Sequence, residues 1–356
     1  MWQLEVDSII LYNYLRSLNK NIKIFINYVL GPLVFCLLIY SIYRQIQRQP
    51  DWKQSLEQIK RAFDSAALGK LLAVFGLMFV NWGIEARKWQ VVIRHLQPIS
   101  FFRSFKATFS GTTLAFFTPN RMGEYVGRVW FIDPGNRIKA VSLTIVSSMG
   151  QLLVTLVIGI AGLIYIRSIV AGIGEDESVV FWINAVLYIS LVAAIVLTLL
   201  YFRLAWMVKW IEKIPRIDKY VNHIRVLDNF NATILLRILS LSLARYLVFI
   251  AQYFLLFQVF DVQLSVQEVF WSISVVFLVL AIVPTIALLT ELGVRWKVSL
   301  ELVQLFSNNM VGILATSLTV WIINLVIPAL IGSLLILNVK FFRNKENNLK
   351  KIEPRP

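Results

Sequence analysis

The 356-residue chain has little charge, almost no histidine and a single cysteine. Each shortage excludes a class of chemistry. Cys36 lies inside an apolar run, so there is neither an intramolecular disulfide nor a thiolate metal cluster. The two histidines, His95 and His223, are far apart and lack ligand spacing, which favours packed or interfacial rings over a metal site. No G-x-x-x-x-G-K-[ST] loop occurs, which argues against direct use of ATP. No H-E-x-x-H, no His/Asp cluster and no aspartate pair on an apolar run appears. The expectation is a chain with no catalytic residues, no metal and no cofactor. Charged residues are only 15% of the total, against about 25% in an ordinary soluble domain.

What is present is hydrophobic: 58% of residues, with a mean hydropathy of +0.70. Several apolar runs reach the roughly 20 residues that cross a bilayer as a helix. The class is an all-α polytopic membrane protein. The net charge of +15 fits basic loops facing anionic lipid and cytoplasm, with no nucleic acid partner.

Taken in order, 22–43 is the first apolar run, and its length suits an uncleaved span rather than a signal peptide. The 44–70 connection mixes both charge signs with Trp52, Leu56, Ile59 and Phe63 at helical spacing, the pattern of an amphipathic surface helix. Spans follow at 71–93, 138–166, 179–202, 238–260 and 309–339. Two apolar stretches do not fit as simple spans. In 101–132, the run 107–118 is only about 18 Å long as a helix, against a core of about 30 Å, before Pro119 breaks it. In 269–301, Pro284 interrupts and Glu291, Arg295, Lys297 and Glu301 follow. Both read as re-entrant helix pairs, giving about six full spans and two hairpins in one membrane domain, 1–340, with a basic tail at 340–356.

Lysine and arginine set the sidedness. The 203–237 connection and the tail are basic and belong in the cytoplasm, with the acidic loop Gly174-Glu175-Asp176-Glu177 outside and the N-terminus inside. The basic 44–70 connection then lands outside, against the rule. This count yields an inverted repeat: 71–166 with its hairpin at 101–132, a linking span at 179–202, and 238–339 with its hairpin at 269–301. Inverted repeats with broken helices are a recurrent transporter plan. The hairpins echo each other, with Pro119 before Glu124 and Arg128, and Pro284 before Glu291 and Arg295. Each presents a glutamate followed at i+4 by an arginine.

Three motifs carry a family likeness: Asn81-x-x-x-Glu85-x-x-x-Trp89, then Thr118-Pro119-Asn120-Arg121-Met122-Gly123-Glu124-Tyr125-Val126-Gly127-Arg128, then Leu292-Gly293-Val294-Arg295. With them the chain resembles the lysylphosphatidylglycerol synthase transmembrane region, a flippase-like family, over roughly 20–340. The resemblance implies a helical bundle with two re-entrant pairs, movement of a charged lipid between leaflets, and a bacterial or archaeal cell membrane. Members that make lysyl-lipid carry a soluble aminoacyl-transferase domain after the membrane part. This sequence ends at Pro356, so lysyl transfer is not expected of it. The second hairpin departs from the expected glycine-rich approach, with Thr290-Glu291 before the motif and Trp296 after it.

On a half-helix, Arg121, Glu124 and Arg128 share one face. Two planar guanidinium forks flanking one carboxylate leave a net positive site suited to a lipid phosphate. The candidate headgroup-binding residues are Arg121, Glu124, Arg128, Asn120, Glu85, Lys88, Glu291 and Arg295. Pro119, Gly123, Gly127, Pro284 and Gly293 are the candidate hinges. Glu85 and Lys88 sit near a span end, where snorkelling explains them as well as ligand contact does. Glu291 and Arg295 are expected to form a second station on the outer side. The functional expectation is a non-enzymatic transporter for a charged phospholipid or a polyprenyl-phosphate-linked lipid, with membrane lipids as partners. The alternatives are a subunit presenting lipid to a separate aminoacyl- or glycosyl-transferase and, behind it, a membrane-embedded lipid-modifying enzyme.

Overall fold

Ser100, Asn231, Ser265 and Asn309 each start a helix by accepting a hydrogen bond from a backbone N–H in its first turn. Ser265 also forms a reciprocal capping box with Glu268. The computed structural model describes residues 40, 44, 52–63, 67–116, 118, 121–173, 177–203, 230–283 and 288–336. Among them there are helices and no strands. They are α1 (Trp52–Phe63), α2 (Leu68–Ile93), α3 (Phe101–Ala115), α4 (Gly123–Val129), α5 (Arg137–Ile173), α6 (Glu177–Phe202), α7 (Ala232–Val259), α8 (Val266–Ile282), α9 (Leu288–Val303) and α10 (Met310–Trp321). The last continues through a π-turn, Ile322–Val326, and on helically to residue 336.

Five stretches are long and apolar enough to cross a membrane: Leu68–Ile93, Pro134–Gly172, Val179–Phe202, Ala232–Val259 and Met310–Ile336. The chain is a multi-pass helical membrane protein. The expected first span at 22–43 and the tail at 340–356 fall outside the described residues, apart from Tyr40. α3 and α4 rise only about 22 and 10 Å, and α8 and α9 about 26 and 24 Å, all short of a 30 Å core.

The halves interlock through backbone-close crossings. A side chain on Gly159 of α5 would lie 2.7 Å from Leu278 Cβ of α8, and one on Gly162 would lie 3.0 Å from the Trp271 carbonyl oxygen. Gly332, near the end of the last described helix, stacks on the Phe109 carbonyl of α3, and Thr113 Oγ1 donates to the Ala329 carbonyl at 2.7 Å. Small residues at such crossings let dispersion contacts and hydrogen bonds hold helices together in lipid, where burial alone does not. α2 and α7 meet through Val74, Met78, Trp82, Tyr246, Ile250 and Tyr253, all buried.

The 44–70 segment needs a correction. Its helix α1 is amphipathic, with Lys53, Gln54, Glu57, Lys60 and Arg61 exposed, but it is not simply a surface helix. Leu56 and Ile59 pack against the cluster built by Leu318, Trp321 and Leu325 of the last helix, and Ala62 is buried. Leu56, Ile59 and Ala62 of its apolar face thus lie against protein.

Candidate functional site

The hairpin α3–α4 is closed by atoms too close for side chains. A Cβ on Gly127 would lie 2.6 Å from Gly111 Cα, and one on Gly111 2.9 Å from the Glu124 carbonyl oxygen. Thr118 ties the turn: its hydroxyl accepts from Gly123 N–H at 2.6 Å and donates to the Leu114 carbonyl at 3.2 Å. Arg121 enters α4 at φ 59°, in the left-handed region that non-glycine residues rarely occupy. Pro119, Asn120 and Pro284 lie outside the described residues.

This hairpin presents Arg128 to α2. Glu85 Oε1 accepts from Arg128 Nη2 at 2.9 Å, while Glu85 Oε2 accepts from Arg245 Nη1 at 2.8 Å and lies 2.8 Å from Lys88 Nζ. Arg128 also pairs with Glu124, whose other oxygen is 3.6 Å from Arg121 Nε. Glu85, Lys88 and Arg128 are at most 4% exposed. Snorkelling is therefore not the role of Glu85 and Lys88; they sit inside the bundle, and only Arg87, bonded to Gln90, stays half-buried. Trp89, the third residue of the α2 motif, donates to Thr144 Oγ1 at 3.0 Å and fixes α2 against α5.

Arg245 was not singled out by sequence reasoning. It lies near the middle of the Ala232–Val259 span, where an arginine is costly unless paired. Its guanidinium is sandwiched, with Cζ 5.3 Å from the Trp82 ring centre and 5.5 Å from that of Phe249. Its Nε donates to Asn81 Oδ1 at 2.8 Å. Asn81 Nδ2 donates to Asn324 Oδ1 at 3.2 Å, Asn324 Nδ2 to Gln252 Oε1 at 3.0 Å, and Gln252 Nε2 to the Val74 carbonyl at 3.0 Å. A backbone carbonyl is only an acceptor, so it orients each amide in turn and leaves an oxygen facing the arginine. Asn324 occupies the π-turn. Pro328, four residues on, has no N–H for the residue-324 carbonyl, and the ladder widens there, with Ile327 N–H bonded to the Ile322 carbonyl.

The second hairpin reaches the same place. Arg295 donates from Nη2 to Glu291 Oε1 at 2.8 Å and from Nη1 to Tyr253 Oη at 2.9 Å. Phe116, at the end of α3, and Leu292 of α9 share one buried cluster with Trp321. Between the hairpins lies a small, partly open cavity, about 340 Å³ only when the solvent at its mouth is counted. Arg121 lines it from the first hairpin, Glu291 and Arg295 from the second, Arg245 from α7 and Asn324 from the last helix, with Trp82 and Trp321 as walls. The expectation of two separate stations is thus corrected, because Arg121 of the first hairpin and Glu291 and Arg295 of the second line one cavity. Gly293 is not a close-packed hinge: it lies within α9, with nothing within 4 Å of where a side chain would begin.

Four donors on these lining residues make no hydrogen bond: Arg121 Nε, Arg295 Nε, Trp82 Nε1 and Trp321 Nε1. Unpaired buried donors cost about 1–3 kcal/mol each. In the ion pairs that reach the cavity through Arg121, Arg245, Glu291 and Arg295, the cations Lys88, Arg121, Arg128, Arg245 and Arg295 stand against Glu85, Glu124 and Glu291, a surplus of two positive charges among the described residues. An anion with several acceptor oxygens has the charge and the acceptors that would satisfy these groups.

Residues 28–332 match the family described as the lysylphosphatidylglycerol synthase TM region, and the chain belongs to that family. No curated protein and no solved structure matches it. The family places the chain among membrane proteins related to lipid modification and flipping.

Proposed function

From that membership and from the cavity, we propose that the protein moves a charged lipid between leaflets, without ATP, holding the headgroup phosphate where the two hairpins meet. The observation that carries this reading is the convergence of Arg121, Arg245 and Arg295, from three separated parts of the chain, on one cavity, with Arg245 near the middle of its span. Guanidinium forks suit phosphate, and the acyl or prenyl tails would remain in the surrounding bilayer. Glu85 and Glu124 orient the arginines and temper their hold.

The reading takes α2 to α5 and α7 to α10 as inverted repeats, each with a re-entrant helix pair. Three features support it. The intervening helices are too short to span. The first helices of the two halves, α2 and α7, face each other. The final helix of each half also contributes a glycine to a close crossing with the first limb of the other half's hairpin: Gly159 of α5 on α8, and Gly332 of the helix continuing α10 on α3. The same reading puts both termini in the cytoplasm and the protein in the cell membrane.

The test is leaflet distribution of labelled lipid in proteoliposomes. Wild-type protein is expected to equilibrate the leaflets and the pair Arg121→Asn with Arg295→Gln to lose that activity. Flipping by the double variant at the wild-type rate would remove the cavity from the mechanism. Binding without flipping, together with co-purification of a transferase, would favour the lipid-presenting reading.

A further inference from the structure

The charge balance and lining of the cavity go further than a charged lipid in general, and this inference rests on the lipid-handling reading above. We infer that the headgroup ends in a phosphomonoester, a terminal dianionic phosphate, rather than a phosphodiester bearing a further glycerol or sugar.

The cluster carries two uncompensated positive charges at a depth where net charge is expensive. A diester supplies one negative charge and two free anionic oxygens. A phosphomonoester supplies about 1.5–2 charges and three strong acceptor oxygens. The second balances the surplus. It also offers three oxygens to donors on the lining residues that make no hydrogen bond: Arg121 Nε, which has only Glu124 at 3.6 Å, Arg295 Nε, and the indole N–H groups of Trp82 and Trp321. Beyond these groups the lining offers little to a polyol. Phe249, Val320 and Leu325 are apolar, Asn324 is committed to Asn81 and Gln252, and Glu291 is held by Arg295. A glycerol or sugar attached to the phosphate would lose its hydrogen bonds to water and find few replacements.

The shared chemistry is the dianionic phosphate, which a lipid or free inorganic phosphate could bring. The experiment separates them by native mass spectrometry of the full chain in lipid nanodiscs at about pH 8, where the monoester is largely dianionic. Phosphatidic acid competes there with phosphatidylglycerol of the same acyl chains, with and without inorganic phosphate. The expected result is retention of phosphatidic acid over phosphatidylglycerol by about tenfold or more, with inorganic phosphate a weak competitor. Arg121→Asn, which keeps a residue tolerant of positive φ, lowers the surplus to one and should bring the ratio towards unity. Glu291→Gln raises the surplus to three and should preserve or increase the ratio. Equal or preferred retention of phosphatidylglycerol overturns the monoester inference while lipid handling stands. Saturation by inorganic phosphate with no lipid retained overturns the lipid source. Retention of neither lipid, with no flipping, removes the proposed function as well. A ratio unchanged in both variants overturns the charge-matching argument.

Discussion

Among the described residues, Glu85 has the most charged partners. Three cations surround its carboxylate, so Glu85→Gln strands them together in a buried site. The expected loss is about 3–5 kcal/mol of stability, read as a lowered unfolding midpoint in detergent. The exposed pair Arg61–Glu57 is the contrast, and Arg61→Gln should leave the midpoint unchanged. Asn324→Leu removes the middle of the amide relay, leaving Asn81 and Gln252 each short of a partner. It should cost about 1–3 kcal/mol and weaken lipid retention, because Arg245 loses its oriented acceptor. Retention at the wild-type level would show that the relay does not aim Arg245. Most of these groups were legible in the sequence, since Glu85, Arg121, Glu124, Arg128, Glu291 and Arg295 are charges in oily surroundings or members of a motif. Arg245 was not, because its partners Glu85 and Asn81 are 160 and 164 residues away and the span around it has ordinary hydropathy. An isolated arginine at mid-span was the available signal.

At the scale of elements, the hairpin α3–α4 depends on contact between backbones. Gly127→Ala places a methyl 2.6 Å from Gly111 Cα and should cost about 1–3 kcal/mol while displacing Arg128 from Glu85. Gly293→Ala, with open space around it, should be neutral or slightly stabilising. Thermal unfolding of the two variants side by side checks both. The sequence showed where the helices break, because proline, arginine and glutamate are conspicuous in apolar surroundings. It did not show what the breaks approach. The meeting of Phe116 with Leu292 and Trp321 is a tertiary contact without a local pattern. The π-turn before Pro328 was equally hidden, since its cause is local but its use, placing Asn324 beside the cavity, is not. For α1, helical periodicity revealed an apolar face without saying whether lipid or α10 covers it.

For the whole molecule, the proposed sidedness rests on charge alone and can be tested in a Cys36→Ser background. Glu175→Cys should react with an impermeant maleimide in intact cells, and Asn347→Cys only after permeabilisation. The opposite pattern would invert the proposed orientation without moving the cavity, which depends on the pairing of the halves rather than on which side each faces. The claim that matters most is that the hairpins converge to hold a lipid phosphate. Its most direct measurement is an experimental structure of the full chain in nanodiscs containing phosphatidic acid. The account predicts phosphate density in the cavity, within about 3 Å of nitrogens on Arg121, Arg245 and Arg295. An empty cavity, with those arginines bound only to Glu85, Glu124 and Glu291 and lipid headgroups confined to the surface, would contradict it.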